Sequence, residues 1–262
     1  MRFVSGTLIA AAIVVFAHRR RSLSTDGALA AFVLGAICSA AGFGWAALLI
    51  GFFISGTLLS RYEAARKSRR TASVVEKGGN RDAWQVLANG GVFAVAAAMS
   101  IIHSSPLWMA LGAGAIGAAA ADTWATEIGV LSSATPRSII TGRQVSAGQS
   151  GGITLIGTLG GVFGAVAMAV IALLAGWGNS AAIAAIIGGI GGCTLDSVLG
   201  GSVQVRRWCD HCNALTERAV HNCGTTTRVV SGVPWLDNDA VNAASSAFGA
   251  LLGFLWILAS RF

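Results

Sequence analysis

Eight nearly uninterrupted apolar runs, each about 16 to 25 residues long, dominate the sequence and leave few folds open to it. They fall at roughly 2–17, 27–42, 44–60, 84–102, 107–130, 151–175, 180–199 and 239–260. A bilayer core about 30 Å thick is crossed by about 20 helical residues rising 1.5 Å each. Transmembrane barrels alternate polar and apolar residues, so continuous runs point to helices instead. Composition agrees: 54% of the 262 residues are hydrophobic, 35 are glycine and 11% are charged, against about 25% charged in a typical globular domain. That is too little polar surface for a soluble enzyme, and it also excludes a disordered chain or a disulfide scaffold. The expected fold is all-α, a polytopic transmembrane helical bundle of seven or eight spans forming one integral membrane domain over 1–262. Seven is the alternative because the first run is short and 27–60 also reads as a tight hairpin turning near Gly42-Phe43-Gly44. Residues 1–17 are expected to be a retained anchor rather than a cleaved signal peptide, since Arg19, Arg20 and Arg21 follow directly.

The net charge of +7 invites a nucleic-acid reading, but the positions of the cations argue against one. Of 18 Lys and Arg residues, 16 lie in the segments 18–25, 61–82, 131–150 and 200–238, which are alternate loops. The turns near 43, 103–106 and 176–179 hold none. The positive-inside rule therefore puts the four basic loops in the cytoplasm and both termini outside. The cations of 61–70 read as part of this membrane-surface signal. The expected setting is the inner or cell membrane of a prokaryote, with a polar site facing the cytoplasm, the lipid membrane as partner and no nucleic acid.

Acidic residues are scarce, 11 in all, yet five lie in or beside apolar runs: Asp122, Glu127, Asp196, Asp237 and Asp239. A carboxylate at mid-span costs about 2.5–3.5 kcal/mol on insertion scales, so such residues are functional or paired as a rule. In the eight-span arrangement all five sit at the cytoplasmic edge. Asp122 and Glu127 are about 140° apart on a helix, and a straight helix does not stack them. Asp237 also reads as a helix N-cap, and Asn238 and Asn242 share one face. Carboxylates and amides are hard oxygen donors suited to Mg²⁺, which takes one or two carboxylates and phosphate oxygens. An ion or proton pathway needs similar residues, so the acids alone do not separate an enzyme from a transporter.

Two polar segments reach the same edge. The loop 131–150, with Arg137 and Arg143, runs through Ser150-Gly151-Gly152 into the sixth span. A glycine-rich helix start favours phosphate, although such a loop is also an ordinary linker. Residues 77–91 carry Lys77 and Arg81, then Asp82 and Gln85 at capping-box spacing, then Asn89 one turn further on. Gln85 and Asn89 read either as contacts to a nucleotide or diphosphate or as polar glue between helices. Glycines of the sixth and seventh spans, Gly188-x-x-x-Gly192 among them, read as close helix packing.

Cys209-x-x-Cys212 followed by His221 and Cys223 forms a C-x2-C-x8-H-x-C pattern in the polar loop 200–238. Four soft donors at this spacing suit a closed tetrahedral zinc site; free reduced cysteines are the alternative reading.

These segments together resemble domain-of-unknown-function family 92, integral membrane proteins that include the plant phytyl-phosphate kinase. The resemblance lies in Arg81 to Gly91, Ala121-Asp122-Thr123-Trp124-Ala125-Thr126-Glu127-Ile128-Gly129, Ser150 to Thr154, the Asp196 segment, the Cys/His loop and Asp237 to Asn242, and it covers a core of about 75–245. It implies transfer of a phosphoryl group from a nucleoside triphosphate, CTP in the plant enzyme, to an isoprenyl phosphate. Phosphoryl transfer is catalysed mainly by positioning and charge neutralisation. On that reading Asp122, Glu127, Asp196 and Asp239 hold Mg²⁺, with Asp122, Glu127 and Asp196 central to catalysis. Lys77, Arg81, Gln85, Asn89, Arg143, Ser150, Gly151, Gly152, Asn238 and Asn242 contact nucleotide or phosphate, and the isoprenyl tail lies between glycine-lined helices. A CTP-dependent cytidylyltransferase forming a CDP-lipid and an ion-coupled transporter are the alternatives.

Overall fold

The computed structural model describes residues 2–71, 74 and 80–260. Eight apolar helices stand where the apolar runs lie: α1 Arg2–Arg19, α2 Thr25–Ala41, α3 Phe43–Arg61, α5 Ala83–Ile102, α6 Pro106–Gly129, α7 Leu155–Leu174, α8 Gly178–Ser202 and α9 Asn238–Ala259. A short basic helix, α4 Ala64–Thr71, lies between α3 and α5. Of these, α3, α5, α7, α8 and α9 are long and apolar enough to cross a membrane, while α1 and α2 are apolar but shorter. The chain is a polytopic helical membrane protein.

Helix boundaries follow local chemistry. Ser24, Asp82, Ser105, Thr154 and Asp237 each cap a helix start by accepting a backbone N–H, and Asp82 with Gln85 forms the expected capping box. Pro106 opens α6, where its missing N–H costs nothing. Gly42, at φ +130°, separates α2 from α3 without a loop, so 27–60 is two helices joined by a tight turn where the hairpin reading put it.

Helix α6 forms the centre, packed by α5, α7, α8 and α9, with α3 alongside and α1–α2 outside. Its residues Gly112–Ala121 are all buried. A helix surrounded by protein needs small residues more than apolar bulk, because lipid tails supply no hydrophobic force between helices. At the tightest point three glycines meet: a Cβ on Gly188 would lie 2.5 Å from Gly114 Cα, and one on Gly249 would lie 2.6 Å from the Gly114 carbonyl oxygen. The glycine surfaces of α7 and α8 are thus filled by neighbouring helices, which leaves no groove there for an isoprenyl tail. Bulk enters at one end, where Trp45 meets Trp177 at 4.6 Å and Phe93 at 5.1 Å between ring centroids.

The other end carries the basic loops, and they contact one another. Arg61 donates from Nη2 to the Arg20 carbonyl at 2.8 Å and to Ser22 Oγ at 2.7 Å. Arg70 reaches the Ser132 carbonyl at 2.6 Å, and Leu23 bridges to Arg81. Two small antiparallel sheets complete this face. The strands β1 Arg137–Ser138 and β2 Gly152–Ile153 pair with each other, and β3 Arg206–Cys209 pairs with both β4 Ala214–Thr216 and β5 Arg228–Ser231.

Candidate functional site

The geometry of the site follows from the glycine contact at the centre of the bundle. One turn from it, Ala118, Gly192 and Ser245 meet, and Ser245 Oγ donates to the Gly192 carbonyl at 2.9 Å. One further turn toward the basic face brings Asp122 on α6 and Asp196 on α8 to the same level, since side chains four apart stack along a helix. Their carboxyl groups are hydrogen-bonded to each other. Asp196 Oδ2 is buried and has no hydrogen-bond partner among the described residues. On α9, which runs the opposite way, Asn242 lies three residues beyond Ser245 and Asp239 six, each 9% exposed. Two carboxyl groups in contact share a proton or a cation, because two bare charges at that separation repel strongly.

Glu127 does not join this group. It faces α3 and α4, where Lys67 Nζ lies 2.6 Å from its Oε2 and Ser60 donates to its Oε1. Lys67 is 8% exposed and also donates to the Leu59 carbonyl at 2.5 Å. This corrects the reading of 61–70 as surface charge alone: one lysine of α4 is folded inward and anchors that helix to α6.

Arg81 enters between α3 and α6. Its guanidinium lies 5.8 Å from the Phe53 ring centroid and 3.1 Å from where a Gly56 Cβ would stand. Burial lowers its proton affinity while the Glu127 charge raises it. Beside it a cleft of about 250 Å³ is lined by Arg21, Arg61 and Arg81 with Ser22, Thr57, Ser60 and Asn80. Thr57 Oγ1 is buried without a hydrogen-bond partner among the described residues. Three arginines and four small polar side chains make this cleft suited to anions. Apart from Arg81, none of its lining residues is among the site residues expected from the sequence.

Other expected contacts are engaged locally. Gln85 Oε1 accepts from the Asp82 N–H at 3.3 Å, and Asn89 Nδ2 donates to the Gln85 carbonyl at 3.0 Å. Asp237 is the N-cap of α9, and Asn238 is exposed beside it. Lys77 lies outside the described residues.

The helix start expected at Ser150-Gly151-Gly152 is not one. Helix α7 begins at Leu155 behind the Thr154 cap, and Gly152 instead pairs in β2 with Ser138. Gly151 has φ +77° and lies against the Gly201 backbone, which turns the chain before the helix can begin. Ser150 is held from the next loop: its N–H and Oγ donate to Glu217 Oε1 at 3.1 and 2.6 Å, while Gln204 Nε2 donates to Ser150 Oγ at 2.9 Å. Arg143 is exposed, and its carbonyl accepts from the Ser138 N–H at 2.8 Å.

The Cys/His loop is folded. Cys209, Cys212, His221 and Cys223 each offer a donor atom, and all four atoms lie within 4.8 Å of one another. Hydrogen bonding with Thr225 and His221 holds the Cys223 thiol down to about 5, and the neighbouring Cys223 pushes Cys212 up to about 11.

The family profile described as "Integral membrane protein DUF92" matches residues 8–250. Protein PGR of Arabidopsis thaliana is 30% identical over 99% of this chain and 96% of its own length. An uncharacterized membrane protein of Methanocaldococcus jannaschii is 29% identical over 97% of this chain and 94% of its own. Another from Synechocystis is 28% identical over 85% and 78%. No solved structure matches.

Proposed function

Since the chain belongs to the DUF92 family of integral membrane proteins, we propose that it is a membrane-embedded phosphotransferase that converts an isoprenyl monophosphate to the diphosphate with CTP as donor. The observation that carries the reading is the Asp122–Asp196 contact inside an apolar bundle, with one Asp196 oxygen buried and unsatisfied. Buried acids held so close share either a proton or a cation, and the unsatisfied Asp196 oxygen favours the cation. The donor set fits Mg²⁺: two carboxylates with Asp239 and Asn242 at the same end of the bundle are all hard oxygen ligands. Bound there, Mg²⁺ would supply neutralisation of phosphate charge.

The chain's own residues do the rest. Arg21, Arg61 and Arg81 line the cleft and offset the negative charge of the phosphates, and the Thr57 hydroxyl, without a partner among the described residues, orients a phosphate oxygen. An oxygen of the isoprenyl phosphate attacks the γ-phosphorus of CTP, the bond from that phosphorus to the bridging oxygen breaks, and CDP leaves. The attacking oxygen is already ionised at neutral pH, so no strong general base is required. The prenyl tail lies along the lipid-facing flank of the bundle. The density of Lys and Arg in the basic loops supports a cytoplasmic position for this end. The turns at the opposite end contain no acid or cation, which favours a one-sided enzyme site over a transport path.

The test is CDP formation from CTP and phytyl phosphate by Asp122→Asn and Asp196→Asn. Each variant is expected to lose at least about 100-fold in kcat, and the double variant little more, because groups acting as one unit are not additive. Full turnover in either single variant would remove the carboxyl pair from the mechanism.

A further inference from the structure

We propose that Cys209, Cys212, His221 and Cys223 bind one zinc ion, which fixes the β3–β4–β5 sheet against the basic face of the bundle. Two independent turns deliver the donors. In the β3–β4 hairpin the Cys212 N–H donates to Cys209 Sγ at 3.5 Å and Asn213 takes φ +52°, a knuckle that turns both sulfurs to one side. In the second turn the Gly224 N–H donates to the His221 carbonyl at 2.8 Å, the His221 N–H donates to the Thr225 carbonyl at 2.9 Å, and Val220 bridges to Thr226. That closes a tight loop presenting His221 and Cys223 together.

The separations match a metal tetrahedron. With Zn–S near 2.3 Å and Zn–N near 2.0–2.1 Å, tetrahedral edges are about 3.8 Å between sulfurs and about 3.5 Å between sulfur and nitrogen. Cys209 and Cys223 Sγ are 3.6 Å apart, and His221 Nδ1 is 3.4 Å from Cys223 Sγ. A disulfide needs about 2.05 Å, and all five cysteines are free. His221 is 7% exposed, and its Nε2 has no hydrogen-bond partner among the described residues. A buried imidazole facing three thiols fits a ligand better than a hydrogen-bonded core residue. Three sulfurs and one nitrogen favour zinc over Mg²⁺ or Ca²⁺, which prefer oxygen.

The ion would act at a distance. From the knuckle, β4 runs to Thr216 and Glu217; the Glu217 N–H donates to the Val74 carbonyl at 3.0 Å, and its carboxylate holds Ser150. Four ligands fixing β3 to the 220–226 turn set the register that carries Glu217 to that loop. Zinc is therefore structural here, without an open coordination position.

Metal analysis of the full chain, purified in detergent from zinc-supplemented cells without chelator, tests this. About one equivalent of zinc is expected, retained in Cys38→Ser and Cys193→Ser and reduced at least fivefold in Cys209→Ser and Cys223→Ser. Because those variants risk misfolding, His221→Cys provides a second arm: it keeps four ligands and should keep the zinc. Cobalt exchanged into the wild-type chain should give thiolate-to-metal charge-transfer absorption that Cys212→Ser weakens. Under a tenth of an equivalent in the wild-type chain, or unchanged zinc in Cys209→Ser, would overturn the site.

Discussion

The ion pair between Lys67 and Glu127 yields the most quantitative expectation. Replacing Lys67 with Met preserves most of the side-chain volume and leaves the Glu127 carboxylate with the Ser60 hydrogen bond and the charge of Arg81. Removing one member of a fully buried pair costs about 3–5 kcal/mol. Here the side chains are 10% and 22% exposed, so water recovers part of that and the expected loss is about 2–3 kcal/mol. At about 2–4 °C per kcal/mol for a chain of this size, Lys67→Met should melt about 5–10 °C lower. Glu127→Gln in the same background removes the uncompensated charge and should restore roughly half of the loss or more. The assay is a double-mutant cycle on thermal unfolding in detergent, with CDP formation measured on the same samples. A coupling energy of about 2 kcal/mol is expected. If the single effects simply add, the two residues do not stabilise each other and α4 is held some other way. If Glu127→Gln abolishes turnover while leaving stability intact, Glu127 belongs with the metal ligands rather than with α4.

Three further outcomes follow from the packing. Gly188→Ala should destabilise by about 1–3 kcal/mol, because the new methyl meets the Gly114 and Gly249 backbones, whereas Gly91→Ala, with nothing within 4 Å, should be neutral or slightly stabilising; equal thermal shifts would contradict this. Glu217→Ala removes the acceptor for the Ser150 N–H and Oγ, so hydrogen exchange at 145–153 should quicken at least tenfold, and unchanged exchange would mean that Glu217 does not order the loop. In intact cells a membrane-impermeant thiol reagent should label Ser104→Cys but not Arg69→Cys, and the reverse pattern would invert the topology.

The helices were legible in the sequence because each is an apolar run ended by a local signal. Asp82 and Asp237 mark helix starts within three residues of the groups they cap, and contacts of that range are written in the chain itself. Asp122 and Asp196 stood out because lipid tolerates few acids. What could not be read depends on distant partners. Lys67 looks like any other cation in Arg66-Lys67-Ser68-Arg69-Arg70 until Glu127, 60 residues away, is beside it. Glu217 looks like a surface acid in a polar loop, yet it holds Ser150 across 67 residues. The apolar run beginning near Gly151 suggested a helix start there, because hydropathy does not register the positive φ of Gly151 or its contact with Gly201. The arginine cleft gathers Arg21 from the segment 18–25 and Arg61 and Arg81 from opposite ends of 61–82, and Arg21 and Arg61 alone read as topology signals.

The central claim is phosphoryl transfer from CTP to an isoprenyl phosphate at the basic end of the bundle, and its most direct test follows the label. Purified protein is incubated with Mg²⁺, phytyl or geranylgeranyl phosphate, and CTP labelled at either the γ- or the α-phosphate. Label from the γ-position should appear in the isoprenyl diphosphate, with CDP released in equal amount and no α-label in the lipid. Release of pyrophosphate with α-label entering the lipid would contradict the kinase in favour of cytidylyl transfer, and absence of lipid-dependent turnover with either label would contradict both.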